Sequence, residues 1–308
     1  MSLYDILALA AGIAFAGIGG ELFVRGAVGL AHWARISPGI IGATVAAFAT
    51  SSPELSVAVN SALAGQPAIA LGDALGSNVV NVALILGIAV AISGMPCPRD
   101  SVRRDFPVAL AVPLVTAFLA RDGAISRGEG GVMLALFSAW LVATALAARR
   151  QRSAADEVLG ARSHGVVLLS CAFGLGFLLA AGHFIVLGAR GIAVALGLDE
   201  FVIGATVVAL GTSTPELATT IIARWRGHAE VGLGTILGSN IFNGAFIVPV
   251  AAVLYPVAVP ERGIFLALAV GVAALVLAYP WVRQMITRWQ GGLLLSLYGG
   301  YLYLVVGS

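Results

Sequence analysis

Gly42–Glu54 reads GATVAAFATSSPE, and Gly204–Glu216 reads GATVVALGTSTPE. Shifted by 162 residues, the two stretches agree at nine of thirteen positions. The same shift, with no gap, lays LGSNVVN (Leu75–Asn81) over LGSNIFN (Leu237–Asn243), identical at five of seven positions. Weaker agreement runs upstream and pairs Gly20 with Gly182, Gly26 with Gly188 and Ala27 with Ala189. Two long matches at one constant offset define an internal repeat, so the chain is two copies of one structural unit.

The composition names the solvent of that unit. Of 308 residues, 59% are hydrophobic and only 10% are charged, against about 25% charged in a soluble domain. A chain this apolar belongs in a bilayer. The net charge of +2 gives no reason to expect a nucleic-acid partner. All 17 basic residues are arginine, which excludes lysine Schiff-base chemistry and a P-loop. Cys97 and Cys171 stand apart and make neither a disulfide framework nor a zinc site. They read as free thiols.

Crossing the hydrocarbon core takes about 20 apolar residues in a helix. Ten spans are expected, over residues 3–30, 39–64, 68–94, 106–120, 129–148, 164–190, 201–223, 230–255, 263–280 and 291–306. Met1–Gly20 lacks a basic leader and reads as part of the first span rather than a cleaved signal. The expected fold is an all-α membrane protein with a first five-helix repeat over 1–150, a linker over 151–163 and a second repeat over 164–308. The motif regions are 42–90 and 204–250. A shift of five spans, an odd number, reverses the direction of insertion, which predicts inverted-topology repeats. One sequence threaded both ways builds similar inward and outward half-channels around a midplane site.

Arginine placement sets the orientation. Loops on one side of the ten-span layout hold twelve arginines, including Arg99, Arg103, Arg104, Arg149, Arg150, Arg152 and Arg162, and those on the other side hold four. The arginine-rich side is expected to be cytoplasmic. Both termini then lie outside the cell (inner) membrane and the loop 149–162 inside. That loop is too short for a regulatory domain.

Polar residues within the spans need a reason, because hydrocarbon penalises them. They gather in four segments: Thr50–Glu54, Thr212–Glu216, Gly76–Asn81 and Gly238–Asn243. Pro53 and Pro215 cannot donate to the carbonyl four residues back, which predicts that the carbonyls of Ala49 and Gly211 are freed. Unpaired carbonyls at membrane depth are tolerated only against protein or a polar cavity. Glu54 and Glu216 add a negative charge one position on. Ser77 and Asn81, four apart, share a helix face, as do Ser239 and Asn243. Gly76 and Gly238 would allow close helix approach. His, Cys and Met are absent from all four segments, and all-oxygen ligation favours hard ions such as Ca²⁺, Mg²⁺ or Na⁺. The two glutamates carry a charge that one Ca²⁺ neutralises, and the pair left bare would be hard to bury. Exchange against several Na⁺ or two protons follows.

At these residues the sequence resembles the cation/Ca²⁺ exchanger superfamily, specifically the prokaryotic sodium/calcium exchanger family. Its two α-repeats are matched by G-x-x-x-x-A-x-x-T-S-x-P-E and G-S-N-x-x-N, each present twice. The resemblance implies that Glu54 and Glu216 are bidentate Ca²⁺ ligands that also hold Na⁺. It implies carbonyl ligands from Ala47, Thr50, Ala209 and Thr212. Side-chain ligands come from Ser51, Ser213, Ser77 and Ser239, with Asn81 and Asn243 at the centre. Spans one and six are implied to slide as gates. Some family members carry Asp where this chain has Asn243, which makes this site less negative and more symmetric.

The function expected from all this is secondary active antiport of Ca²⁺ against Na⁺, with no cofactor and no obligatory protein partner. Ca²⁺/H⁺ antiport is the alternative, and a passive cation channel a third reading. No H-E-x-x-H, G-x-S-x-G or nucleotide-binding loop points to an enzyme. Other charged residues have plainer expectations: Asp73 at a solvated helix end, Glu21 with Arg25 as an i,i+4 pair, Asp199 and Glu200 as surface charge, and Asn78 and Asn240 as structural. His183 occupies the place of Glu21 in the second copy.

Overall fold

The computed structural model describes residues 3–63, 65, 67–154, 164–195, 209–259, 263–281 and 284–306. Helix α1 (Leu3–Ala34) leads through a short turn into α2 (Pro38–Thr50) and α3 (Ser52–Leu63), then α4 (Pro67–Ser93). A two-residue strand β1 (Met95–Pro96) and a widened turn (Ser101–Asp105) precede α5 (Phe106–Leu119). Strand β2 (Ala124–Ile125) and α6 (Arg127–Ala154) follow. The second half runs α7 (His164–Ala195), α8 (Ala209–Thr212), α9 (Thr214–Trp225) and α10 (Ala229–Leu254). It closes with β3 (Val257–Ala258), α11 (Gly263–Ala278), β4 (Met285–Ile286) and α12 (Arg288–Val306).

Local chemistry explains the starts of several of these. Pro38 occupies the first turn of α2, where its missing N–H costs nothing, and the Ser37 hydroxyl accepts from Ile40 N at 3.4 Å. Before α6 the Glu129 carboxylate accepts from both the N–H and the hydroxyl of Ser126, each at 2.8 Å. Before α12 the Gln290 amide oxygen does the same for Thr287, at 2.7 and 2.8 Å. Both are capping boxes, and they follow R-G-E-G-G over R-W-Q-G-G at an offset of 161 rather than 162. The strands, which the sequence reading did not foresee, pair β1 with β4 and β2 with β3, both antiparallel. They stitch connections of one half to connections of the other.

Burial separates two kinds of helix. Over their most apolar stretches α4 and α10 are 72% and 83% buried, whereas α1, α6 and α7 are 29%, 22% and 28% buried. Five helices among the described residues are long and apolar enough to cross a membrane, and α2 with α3 would form a sixth span bent by 44°. Apolar side chains such as Leu7, Ile13, Val142 and Phe173 stand exposed on the outer helices. Water does not tolerate so much apolar surface, and lipid does. The protein is an all-helical membrane protein whose core is α4 and α10, with α1 and α7 packed against each other beside it. The linker from 155 to 163, the Asp199–Glu200 pair, the repeat motif from Gly204 to Val208, and Arg262 and Arg283 lie outside the described residues.

Candidate cation site

The polar segments converge where the broken helices meet the core. Helices α2 and α3 are interrupted at Ser51 (φ −87°, ψ 13°), and α8 and α9 at Ser213 (φ −83°, ψ 6°). The proline two residues on breaks the ladder in both, and the backbone turns the same way. This puts Glu54 and Glu216 in the first turn of α3 and of α9, at helix N-termini whose dipoles favour negative charge. Both glutamates are fully buried.

Opposite them, α4 and α10 each carry a stretch of π-helix, Val80–Leu86 and Asn243–Ile247. The wider turn opens at Asn81 in one helix and Asn243 in the other, and such bulges recur at functional sites. Small residues let the elements close up: a Cβ on Gly238 would lie 2.3 Å from the Ala43 carbonyl oxygen of α2. The matching neighbour of Gly76, Ala205, lies outside the described residues.

Thr50, Ser51, Ser77, Asn81, Ser213, Ser239 and Asn243 are buried with the glutamates. The Ser51 hydroxyl donates to Glu216 Oε1 at 3.0 Å, reaching from one half of the chain into the other. Ser239 donates to the same oxygen at 3.1 Å. Both Glu54 oxygens, Glu216 Oε2, the hydroxyls of Ser77 and Ser213, and the amide oxygens of Asn81 and Asn243 are buried with no hydrogen-bond partner. Buried oxygens without donors are normally rare. Here they are carboxylate, hydroxyl and amide acceptors in one place, a donor set suited to a hard cation. Among the described residues no group of three or more His, Cys, Asp or Glu side chains could hold a metal, so two carboxylates and neutral oxygens make up the set.

The backbone groups behave less simply than the prolines suggested. The Ala49 carbonyl, freed by Pro53, accepts the Ser52 hydroxyl at 2.7 Å. Ala47 O accepts Ser51 N at 3.0 Å and the Thr50 hydroxyl at 3.4 Å. Thr50 also donates to Ala46 O at 3.0 Å. Gly211 O is packed under α7, 2.7 Å from where a Cβ on Gly182 would stand. Ala209 and Thr212 bound the short helix α8.

One expectation changes and another is extended. Asp73 is not at a solvated helix end: it lies in the second turn of α4 with Oδ2 buried and without a partner. It stands four residues before Ser77, on the face that leads to the site. Thr235 replaces it in α10, where it is satisfied by Val231 O at 2.9 Å. The Glu21–Arg25 pair is present, but Glu21 also holds Arg226 at the end of α9, at 2.7 Å. Asn78 and Asn240 are buried and hydrogen-bonded across the two halves. Cys97 and Cys171 are free thiols, and burial pushes the Cys97 thiol, in its connection, up to about 12. The sequence reading passed over Thr219 and Thr220, buried one turn beyond Glu216 with hydroxyls lacking partners. Beside the site, an apolar cleft of about 470 Å³ between α2, α6 and α10 is lined by Phe48, Phe137, Trp140, Phe242 and Phe246. Its one hydroxyl, on Thr44, is bonded to Ile40 O at 2.7 Å, and no carboxylate lines it.

A membrane-embedded helical protein with a two-carboxylate, all-oxygen site has the form of a cation transporter. The family model described as "Sodium/calcium exchanger protein" matches residues 4–146 and 166–307. The chain belongs to this family of membrane ion transporters. It is 31% identical over 302 residues to the putative antiporter CaxA of Alkalimonas amylolytica, covering 94% of each chain. It is 27% identical over 352 residues to the sodium/calcium exchanger MaX1 of Methanosarcina acetivorans, covering 98% of each. Among solved structures it is similar to the sodium-calcium exchanger NCX_Mj soaked with Na⁺ and Sr²⁺, with TM-score 0.83, 30% identity and 97% of each chain covered.

Proposed function

We propose that this chain exchanges Ca²⁺ against Na⁺ by alternating access, with Glu54 and Glu216 as the central ligands. The observation that carries the reading is the meeting of two fully buried carboxylates, one from each half, among oxygens that lack hydrogen-bond donors. Isolated buried charges cost several kcal/mol each even after relaxation. One Ca²⁺ neutralises the pair, and Na⁺ ions do so in its place. The bare pair is penalised at the midplane, so the empty carrier reorients poorly and flux in one direction is tied to flux in the other. Thr50, Ser51, Ser77, Asn81, Ala47 and their counterparts Thr212, Ser213, Ser239, Asn243, Ala209 complete the ligand set.

The architecture proposed for this cycle is ten spans in two inverted five-helix repeats, joined by the linker 151–163. Three equivalences support it. The breaks at Ser51 and Ser213 share one backbone conformation. The capping boxes at Ser126 and Thr287 are alike. A Cβ on Gly130 would lie 3.0 Å from Pro249 O, and one on Gly291 would lie 2.9 Å from Gly87 O; the two carbonyls are 162 residues apart and the two glycines 161. The excess of arginine puts the loop 149–162 in the cytoplasm and both termini outside the cell membrane. In this reading the exposed α1–α7 pair moves past the buried α4–α10 core.

The test is ⁴⁵Ca²⁺ uptake into proteoliposomes loaded with Na⁺. An outward Na⁺ gradient is expected to drive accumulation, and Glu54→Gln or Glu216→Gln to abolish it. Uptake indifferent to Na⁺ and driven by a pH gradient would assign H⁺ as the counter-ion instead.

A further inference from the structure

Four asparagines cross the junction between the halves in a reciprocal pattern. Asn78 Nδ2 donates to the Asn240 main-chain oxygen, and Asn240 Nδ2 to the Asn78 main-chain oxygen, both at 3.2 Å. Asn81 Nδ2 donates to Asn240 Oδ1, and Asn243 Nδ2 to Asn78 Oδ1, both at 3.1 Å. All four side chains are buried.

The direction of every amide follows from one fixed point. Amide nitrogen and oxygen are told apart by their partners. A main-chain carbonyl can only accept, so the Asn78 nitrogen must face Asn240 O. That turns Asn78 Oδ1 toward Asn243, which must answer with its own nitrogen. Asn243 Oδ1 is thereby left over. The mirrored chain, from Asn240 to Asn81, leaves Asn81 Oδ1 over. These two oxygens are buried without partners, on residues that share a helix face with Ser239 and Ser77. An unheld asparagine would have to be turned and fixed by the cation itself, at a cost in conformational entropy that weakens binding.

We propose that Asn78 and Asn240 are positioning residues that act in trans: each fixes the central asparagine of the opposite half with its amide oxygen toward the transported cation. This rests on the reading of Asn81 and Asn243 as ligands. It also implies that the α4–α10 junction stays closed through the transport cycle, because separating the two helices would release both ligands at once. Ligand affinity in each half is then set by a residue of the other half.

The experiment is a double-mutant cycle on the full chain in Na⁺-loaded proteoliposomes, with KM for Ca²⁺ and the maximal rate measured separately. Asn240→Leu is expected to raise KM about tenfold, the equivalent of about 1.4 kcal/mol, with the maximal rate within about threefold, as expected for a hydrogen bond that orients a ligand. Added to Asn81→Ala, it is expected to raise KM no further, because the residue it orients is gone. The mirrored cycle, Asn78→Leu with Asn243→Ala, is expected to behave alike. It decides the matter if Asn240→Leu is not recovered folded, and Asn78→Ser and Asn240→Ser serve if neither leucine is tolerated. Multiplicative effects on KM, or an unchanged KM in the single variants, overturn the proposal and leave the asparagines as helix glue. Failure of the two-glutamate reading shows elsewhere, as exchange retained in Glu54→Gln and Glu216→Gln.

Discussion

The environments of Glu54 and Glu216 share a backbone and differ in their side chains. Glu216 Oε1 accepts two hydroxyls, from Ser51 and Ser239, while Glu54 faces the Ser77 hydroxyl without a well-formed hydrogen bond. Along the path beyond Glu54 lie Val57 and Ala58, with Asp73 on the facing helix. Beyond Glu216 lie Thr219 and Thr220, with Thr235 in place of the aspartate. The repeat has therefore kept the elements that shape the site and let the approaches diverge. One stretch carries an aspartate where the other carries threonines.

The largest expected effect lies with the carboxylates. Glu54→Gln and Glu216→Gln should each lower exchange by about a hundredfold or more, since breaking a buried charge constellation costs about 3–5 kcal/mol. Equilibrium Ca²⁺ titration of the purified variants should show the same loss. Next come the hydroxyls on Glu216. Ser51→Ala and Ser239→Ala should each raise KM for Ca²⁺ about tenfold, because hydrogen bonds to a charged group contribute about 1.5–3 kcal/mol. Equal effects from Ser51→Ala and from a distant control such as Ser138→Ala would erase the distinction between the glutamates.

A smaller effect is expected at Asp73. Asp73→Asn should raise KM several-fold for Ca²⁺ entering from one face only, as loss of a guiding charge does. Sided assays in oriented vesicles check this, and Thr235→Asp should create a similar preference on the opposite face. The smallest is at the α1–α9 contact. Arg226→Gln breaks a partly exposed ion pair with Glu21 worth about 0–1 kcal/mol. Exchange rates at low salt should move by no more than about fivefold, and the difference should vanish at high salt.

Much of this was legible because membrane insertion leaves few excuses for a buried glutamate. The T-S-x-P-E and G-S-N-x-x-N copies located the polar segments, and those segments do meet. What stayed hidden involved partners that no sequence pattern displays. Pro53 does free the Ala49 carbonyl, but the neighbouring Ser52 hydroxyl takes it up. Asn78 lies off the face of Ser77 and Asn81, and only the opposing helix shows that Asn240 meets it. The R-x-x-G-G copies at Arg127 and Arg288 escaped a search at constant offset, because the second half is one residue shorter by that point. Strands of two residues have no periodicity to read.

The most direct test of the central claim is release of ⁴⁵Ca²⁺ from loaded proteoliposomes into media that differ only in the cation outside. If access to the site cannot switch sides while both glutamates are bare, release should be fast into Na⁺ or Ca²⁺ and nearly nil into a cation-poor medium buffered with a large organic ion. Equal release into all of these would mean that the protein changes sides without its charges filled.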